Sequence, residues 1–106
     1  MLKLVLTMLI LCAVTAEAAT LYNISIVHSY HKEYAWEQSL TSGLVDTLPE
    51  NANLDHFYLD TKRLPKTQHA ERAKAVLQQL AASQPDLIIL CDDNAAKYQT
   101  YKVCKK

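Results

Sequence analysis

Three apolar stretches run along this chain, and each ends in a cluster of polar residues. Leu21 to Val27 carries Ile24, Ile26 and Val27 among Asn23 and Ser25, then runs into His28-Ser29-Tyr30-His31. β-Branched residues in near alternation predict a strand, and Val27 joining the run predicts burial on both faces. Leu54 to Leu59 predicts a second strand, followed by Asp60-Thr61-Lys62-Arg63. Asp55 and His56 near its start give it the polar content of a sheet edge. Leu87-Ile88-Ile89-Leu90-Cys91 has no polar alternation at all and is bounded by Pro85-Asp86 and Asp92-Asp93. It predicts a strand buried on both faces.

Between these stretches the period changes to that of a helix. Trp36, Leu40, Gly43, Leu44, Thr47 and Leu48 predict a helix over 36–48 with one apolar face, stopped by Pro49. Gly43 is the only glycine. It costs about 1 kcal/mol against alanine inside a helix, so a close approach to the sheet is the expected reason for it. Thr67 is positioned to cap a second helix with the stripe Ala70, Ala73, Val76, Leu77, Leu80 and Ala81, ended by Pro85. Asn94 is expected to cap a third helix starting near Ala95, and the polar segment 97–106 is too short for another βα unit.

Strand alternating with helix predicts an α/β fold: a Rossmann-like, three-layer βαβαβ unit with a short parallel sheet and right-handed crossovers. Strand order 2-1-3 puts the polar second strand at an edge. The three polar clusters then share the carboxyl edge of the sheet, where ligands of open α/β sheets bind.

A chain of 106 residues supports one small domain at most. Lys+Arg and Asp+Glu are 11 each, which leaves no overall electrostatic footprint for nucleic acid or an acidic membrane surface. Lys102, Lys105 and Lys106 form the only dense basic run and read as a solvated tail. Lys3, the apolar run Leu4 to Val14 and the small-x-small triplet Ala16-Glu17-Ala18 predict an export signal over 1–18, cleaved after Ala18. The run is shorter than the about 20 apolar residues that span a bilayer. A lipoprotein reading would acylate Cys12, but Leu11 stands where a small residue belongs. After cleavage Cys91 and Cys104 remain. Cys91 reads as a small apolar core residue, and a Cys91–Cys104 disulfide stays open.

Each polar cluster offers more than one chemistry. Asp92-Asp93-Asn94 can contact a ligand's hydroxyls or amine, bind Mg²⁺, act as an acid/base pair, or cap a helix. Lys62 and Arg63 can hold a carboxylate or phosphate, or pair with Asp60. His28 and His31 are three apart, a spacing that suits a helix face rather than this strand and loop, so no metal is expected. Tyr30, Tyr34 and Trp36 form an aromatic group of the kind that floors small-molecule pockets, although Trp36 reads equally as an anchor of the first helix. A single glycine excludes a glycine-rich phosphate loop, and Ser29 lacks a nucleophile-elbow pattern.

The segments Ile26-Val27-His28-Ser29-Tyr30-His31…Trp36, Tyr58-Leu59-Asp60-Thr61-Lys62-Arg63 and Pro85-Asp86-Leu87-Ile88-Ile89…Asp92-Asp93-Asn94-Ala95 resemble the ABC-transporter substrate-binding proteins of the periplasmic-binding-protein superfamily. The resemblance covers Tyr22 to Tyr98. It implies a two-lobed binder in the periplasm that closes over a small solute, an amino acid or a sugar, and delivers it to a membrane permease. It implies neither catalysis nor a cofactor, and membrane contact only through the permease. By position it assigns Ser29, Tyr30, Trp36, Asp60, Asp92 and Asn94 to the first lobe's side of the cleft. Residues 19–98 then form part of the N-terminal lobe, with 99–106 as a divergent tail. The expectation is a truncated product that cannot close on a solute alone. Two rivals stand beside it. One is a small Mg²⁺-dependent enzyme built on Asp60, Asp92 and Asp93. The other is an extracellular sensor module of a signalling protein, in which the same module occurs.

Overall fold

A computed structural model describes residues 20–103, with side chains to Tyr98. Strands and helices alternate as β1 (Tyr22–His28), α1 (Ala35–Thr47), β2 (Ala52–Tyr58), α2 (Lys66–Ser83), β3 (Leu87–Cys91) and α3 (Asp92–Val103). The three strands form one parallel sheet in the order β2-β1-β3. This is the α/β, Rossmann-like layering that the apolar pattern predicts. β1 is central: Ile26 pairs with His56 on one side and with Ile89 on the other. The chain steps from β1 to β2 and then back across β1 to β3. Right-handed crossovers therefore put α1 and α2 on opposite faces of the sheet.

The period of two along the strands divides the core accordingly. Ile24, Ile26 and Cys91 pack with Leu54, Ile89 and the α1 residues Leu40 and Leu44. Val27 and Leu59 pack with Ala73, Val76 and Leu80 of α2 and Ala95 of α3 on the other face. Fully burying such a side chain stabilises the fold by about 1.5–3 kcal/mol. At the amino end of the sheet Asp86 braces β1 to β3: its carboxylate accepts the Asn23 N–H at 2.8 Å, and its own N–H donates to the Asn23 carbonyl at 2.8 Å.

Several local expectations are overturned. β3 is an edge strand rather than one buried on both faces, and Leu87 is 50% exposed. Its unbroken apolar run reflects cover on part of each face only. Gly43 lies on the exposed side of α1, and a Cβ built there meets nothing within 4 Å, so close packing on the sheet does not explain it. Trp36 is 59% exposed and does not anchor α1. Thr67 does not cap α2, which begins at Lys66 behind Pro65 with no side-chain cap. Asn94 does not cap α3, because that helix already begins at Asp92. α3 runs to Val103, so helix continues into the expected tail. The export signal, the cleavage site after Ala18, Cys12 and Cys104 lie outside the described residues. No described helix is long and apolar enough to cross a membrane.

Candidate functional site

The three strand ends are tied together by small polar side chains. Ser29 follows β1 directly, lies on the β1–β3 side of the sheet and is fully buried. Its hydroxyl donates to the Cys91 carbonyl at 2.7 Å and accepts the Ala95 N–H at 2.8 Å. The Ser29 carbonyl accepts the Thr61 hydroxyl at 2.7 Å and the Thr61 N–H at 3.1 Å. Asn94 donates from Nδ2 to that Thr61 hydroxyl at 3.0 Å. The network crosses from β3 to β1 to β2, and it fills the point where the order of strands reverses, the usual ligand crevice of such sheets. Of the residues assigned to ligand contact, Ser29 and Asn94 are therefore brought to this edge, with their polar groups already engaged in holding the turns.

Above this network the turns present a different set of groups. Asp60 stands two residues beyond the end of β2 and Asp92 directly follows β3, and both have left-handed backbone, φ 56° and 72°. Aspartate tolerates this region better than most residues because its short carboxylate bonds locally. Here Asp92 Oδ1 accepts the Asp93 N–H at 2.7 Å. Departures of this kind concentrate where a fold must aim side chains. Asp60 receives a fork from Arg63, Nε to Oδ1 at 2.7 Å and an Nη to Oδ2 at 2.9 Å. That guanidinium holds the Asp60 carboxyl below its usual 3.8. His31 Nδ1 is 3.6 Å from Asp60 Oδ1, beyond a hydrogen bond.

The aromatic part of the edge comes from the loop after β1. Tyr30 and Tyr34 meet edge to face, with ring centroids 5.2 Å apart. Lys62 Nζ lies 5.1 Å from the Tyr30 centroid and 4.6 Å from the Tyr34 centroid, within cation–π range. The phenol of Tyr30 is pushed up to about 12, first by the Asp92 carboxylate and then by burial. Tyr30, Lys62 and Asp92 thus bring one residue from each of the three turns into a single cluster. Trp36, assigned to the same cleft, projects largely into solvent from the first turn of α1.

A second polar group lies beneath the edge, on the α1 face, and the sequence pattern does not announce it. His28 is fully buried, with Nδ1 2.6 Å from Glu37 Oε2 and Nε2 2.9 Å from His56 Nδ1. Glu37 is 1% exposed, and its Oε1 accepts the Tyr30 N–H at 3.2 Å. With Glu37 ionised, a neutral His28 donates from Nδ1 and accepts at Nε2 from His56 Nδ1–H; this tautomer is assigned from the partners. Tyr58 stacks on His28 with centroids 4.6 Å apart, as cross-strand partners on one face do. Burial, and then the neighbouring His28, hold His56 below its usual 6.5. Burial, and then Glu37, raise the Tyr58 phenol and push the Cys91 thiol up to about 11.

No group of three or more His, Cys, Asp or Glu among the described residues is placed to hold a metal ion. Asp60 is committed to Arg63, so Asp60, Asp92 and Asp93 do not converge as one donor set. Both ring nitrogens of His28 are engaged, and His28 does not join His31.

Comparison of the chain with protein-family models, with curated proteins and with solved structures found no match.

Proposed function

We propose that this chain supplies one wall of a small-solute binding cleft, as the first lobe of an ABC-type substrate-binding protein does. The observation that carries the reading is the gathering of Tyr30, Lys62 and Asp92, one from each turn, at the carboxyl edge of the sheet. That edge is where ligands of open α/β sheets sit. The buried ties among Ser29, Thr61, Asn94 and Cys91 support it, because a binding wall needs side chains fixed before the solute arrives. In this reading Tyr30, Asp60 and Asp92 touch the solute, Ser29 and Asn94 hold the turns, and Trp36 meets it from the rim. The partners are an amino acid or a sugar in the periplasm and, on release, an ABC permease.

One open edge covers far less of a solute than the roughly 70% or more typical of a closed pocket, so affinity for the isolated chain is weak (about millimolar). Calorimetric titration against panels of amino acids and sugars tests the proposal. A binder should emerge from the panels, and Tyr30→Ala and Asp92→Asn should each weaken it by about tenfold, the loss of one charge-assisted contact. Binding that ignores both substitutions contradicts the proposal.

A further inference from the structure

The edge carries a cation of its own in a place that a ligand's cation fits. Lys62 Nζ stands over two aromatic rings at once, Tyr30 and Tyr34, which meet at an interplanar angle of 74°. Two rings set edge to face form a corner whose electron-rich surfaces attract positive charge, an arrangement used to recognise alkylammonium groups. The corner adjoins unneutralised negative charge. Asp92 and Asp93 open α3 at the same sheet edge, and their negative charge helps raise the Tyr30 phenol. Among the described residues neither carboxylate is ion-paired, whereas the nearby Asp60 is matched by Arg63. Lys62 is exposed and has no ion-pair partner among the described residues, so its long side chain can swing away at little cost.

We infer that the solute recognised at this edge carries an alkylammonium group, which displaces Lys62 from the Tyr30–Tyr34 corner and lies against Asp92 and Asp93. Resting on the cleft reading above, the inference narrows the solute class. Lys62 then acts as a placeholder: it keeps the corner occupied until a competing cation arrives, and it weakens the apparent affinity for that cation. A neutral solute of the same shape gains neither the ring attraction nor the carboxylates.

The test compares choline with 3,3-dimethylbutan-1-ol, which has the same outline without the charge, by following the tyrosine ring signals and backbone amides in NMR titrations. Choline should shift Tyr30 and Tyr34, and the neutral alcohol should leave them unmoved at the same concentration. Lys62→Ala should tighten choline binding by about threefold or more, and Asp92→Asn should weaken it by a similar factor. Lys62→Gln, which keeps most of the side chain, checks that the gain comes from removing charge. Phosphatidylcholine vesicles separate a membrane headgroup from a free solute as the source of the ammonium. Equal shifts from choline and the alcohol, or unchanged affinity in Lys62→Ala, would overturn the inference. Sugar binding at the edge with no response to choline overturns the inference alone. Silence of the edge toward every solute overturns the cleft reading with it.

Discussion

Glu37 reaches back from the first turn of α1 to His28 at the end of β1, placing Oε2 2.6 Å from Nδ1 with both side chains buried. Its other oxygen takes the N–H of Tyr30. One carboxylate therefore fixes the end of the central strand and the start of the loop that carries the aromatic wall. Its place in the first helical turn also suits a negative charge.

Removing that carboxylate leaves buried polar groups without partners. Glu37→Ala strands both His28 Nδ1 and the Tyr30 N–H, and each buried group left without a partner costs about 1–3 kcal/mol. For a domain of this size that should lower the melting temperature by about 10 °C or more, at about 4–8 °C per kcal/mol. Thermal denaturation followed by circular dichroism measures it. A loss near that of an exposed substitution such as Gln38→Ala would show that the pair carries no such weight.

Acid should destabilise the fold in two stages. His56 is held below 6.5, so above 6.5 it is neutral in folded and unfolded chains alike. Below 6.5 the unfolded chain takes the proton first, and stability falls until the lower folded value is passed. Asp60 is held below 3.8 by Arg63, so its contribution is complete above 3.8 and is lost as pH falls through the lower folded value. Melting temperatures measured from about pH 8 to about pH 3 should show both stages. His56→Gln should flatten the upper stage and Asp60→Asn the lower. Curves for the variants that parallel the parent would contradict the assignment.

Gly43 offers a stabilising change. It lies mid-helix with ordinary backbone and open space where an alanine methyl group would stand. Gly43→Ala should therefore raise stability by about 1 kcal/mol through helix propensity alone. Denaturant titration reads this directly, and a destabilised variant would mean that the glycine serves a contact absent from this fold.

The layering is legible in the residues because burial dictates it. Three apolar runs and two helical stripes permit little besides an alternating parallel sheet, and the polar content of Leu54 to Leu59 indicates an edge strand correctly. The convergence of Tyr30, Asp60 and Asp92 on one edge follows from that topology. The buried acid does not emerge from the pattern, because apolar Trp36 takes the place on the helix stripe that Glu37 occupies in the fold. Counting 37, 40, 44 and 48 recovers an inward-facing, buried to half-buried stripe as regular as the one that begins at Trp36. Only a partner on another element, His28, makes a glutamate there tolerable, and that partner depends on tertiary placement. Ser29, Thr67 and Asn94 mislead in a related way. The sequence invites weighing each for what its polar group does locally or toward a ligand. Ser29 and Asn94 instead bond across the sheet, and α2 begins behind Pro65 without using Thr67.

In the proposed function this chain meets a solute at the carboxyl edge of the sheet. Mapping backbone amide shifts while titrating the chain with pooled amino acids, sugars and amines tests it most directly. Perturbed amides should fall in 29–34, 60–63 and 92–94, the three turns joined through Ser29, Thr61 and Asn94. Shifts gathered instead around Tyr22, Leu48 and Leu87, which line an apolar hollow at the opposite end of the sheet, would contradict it.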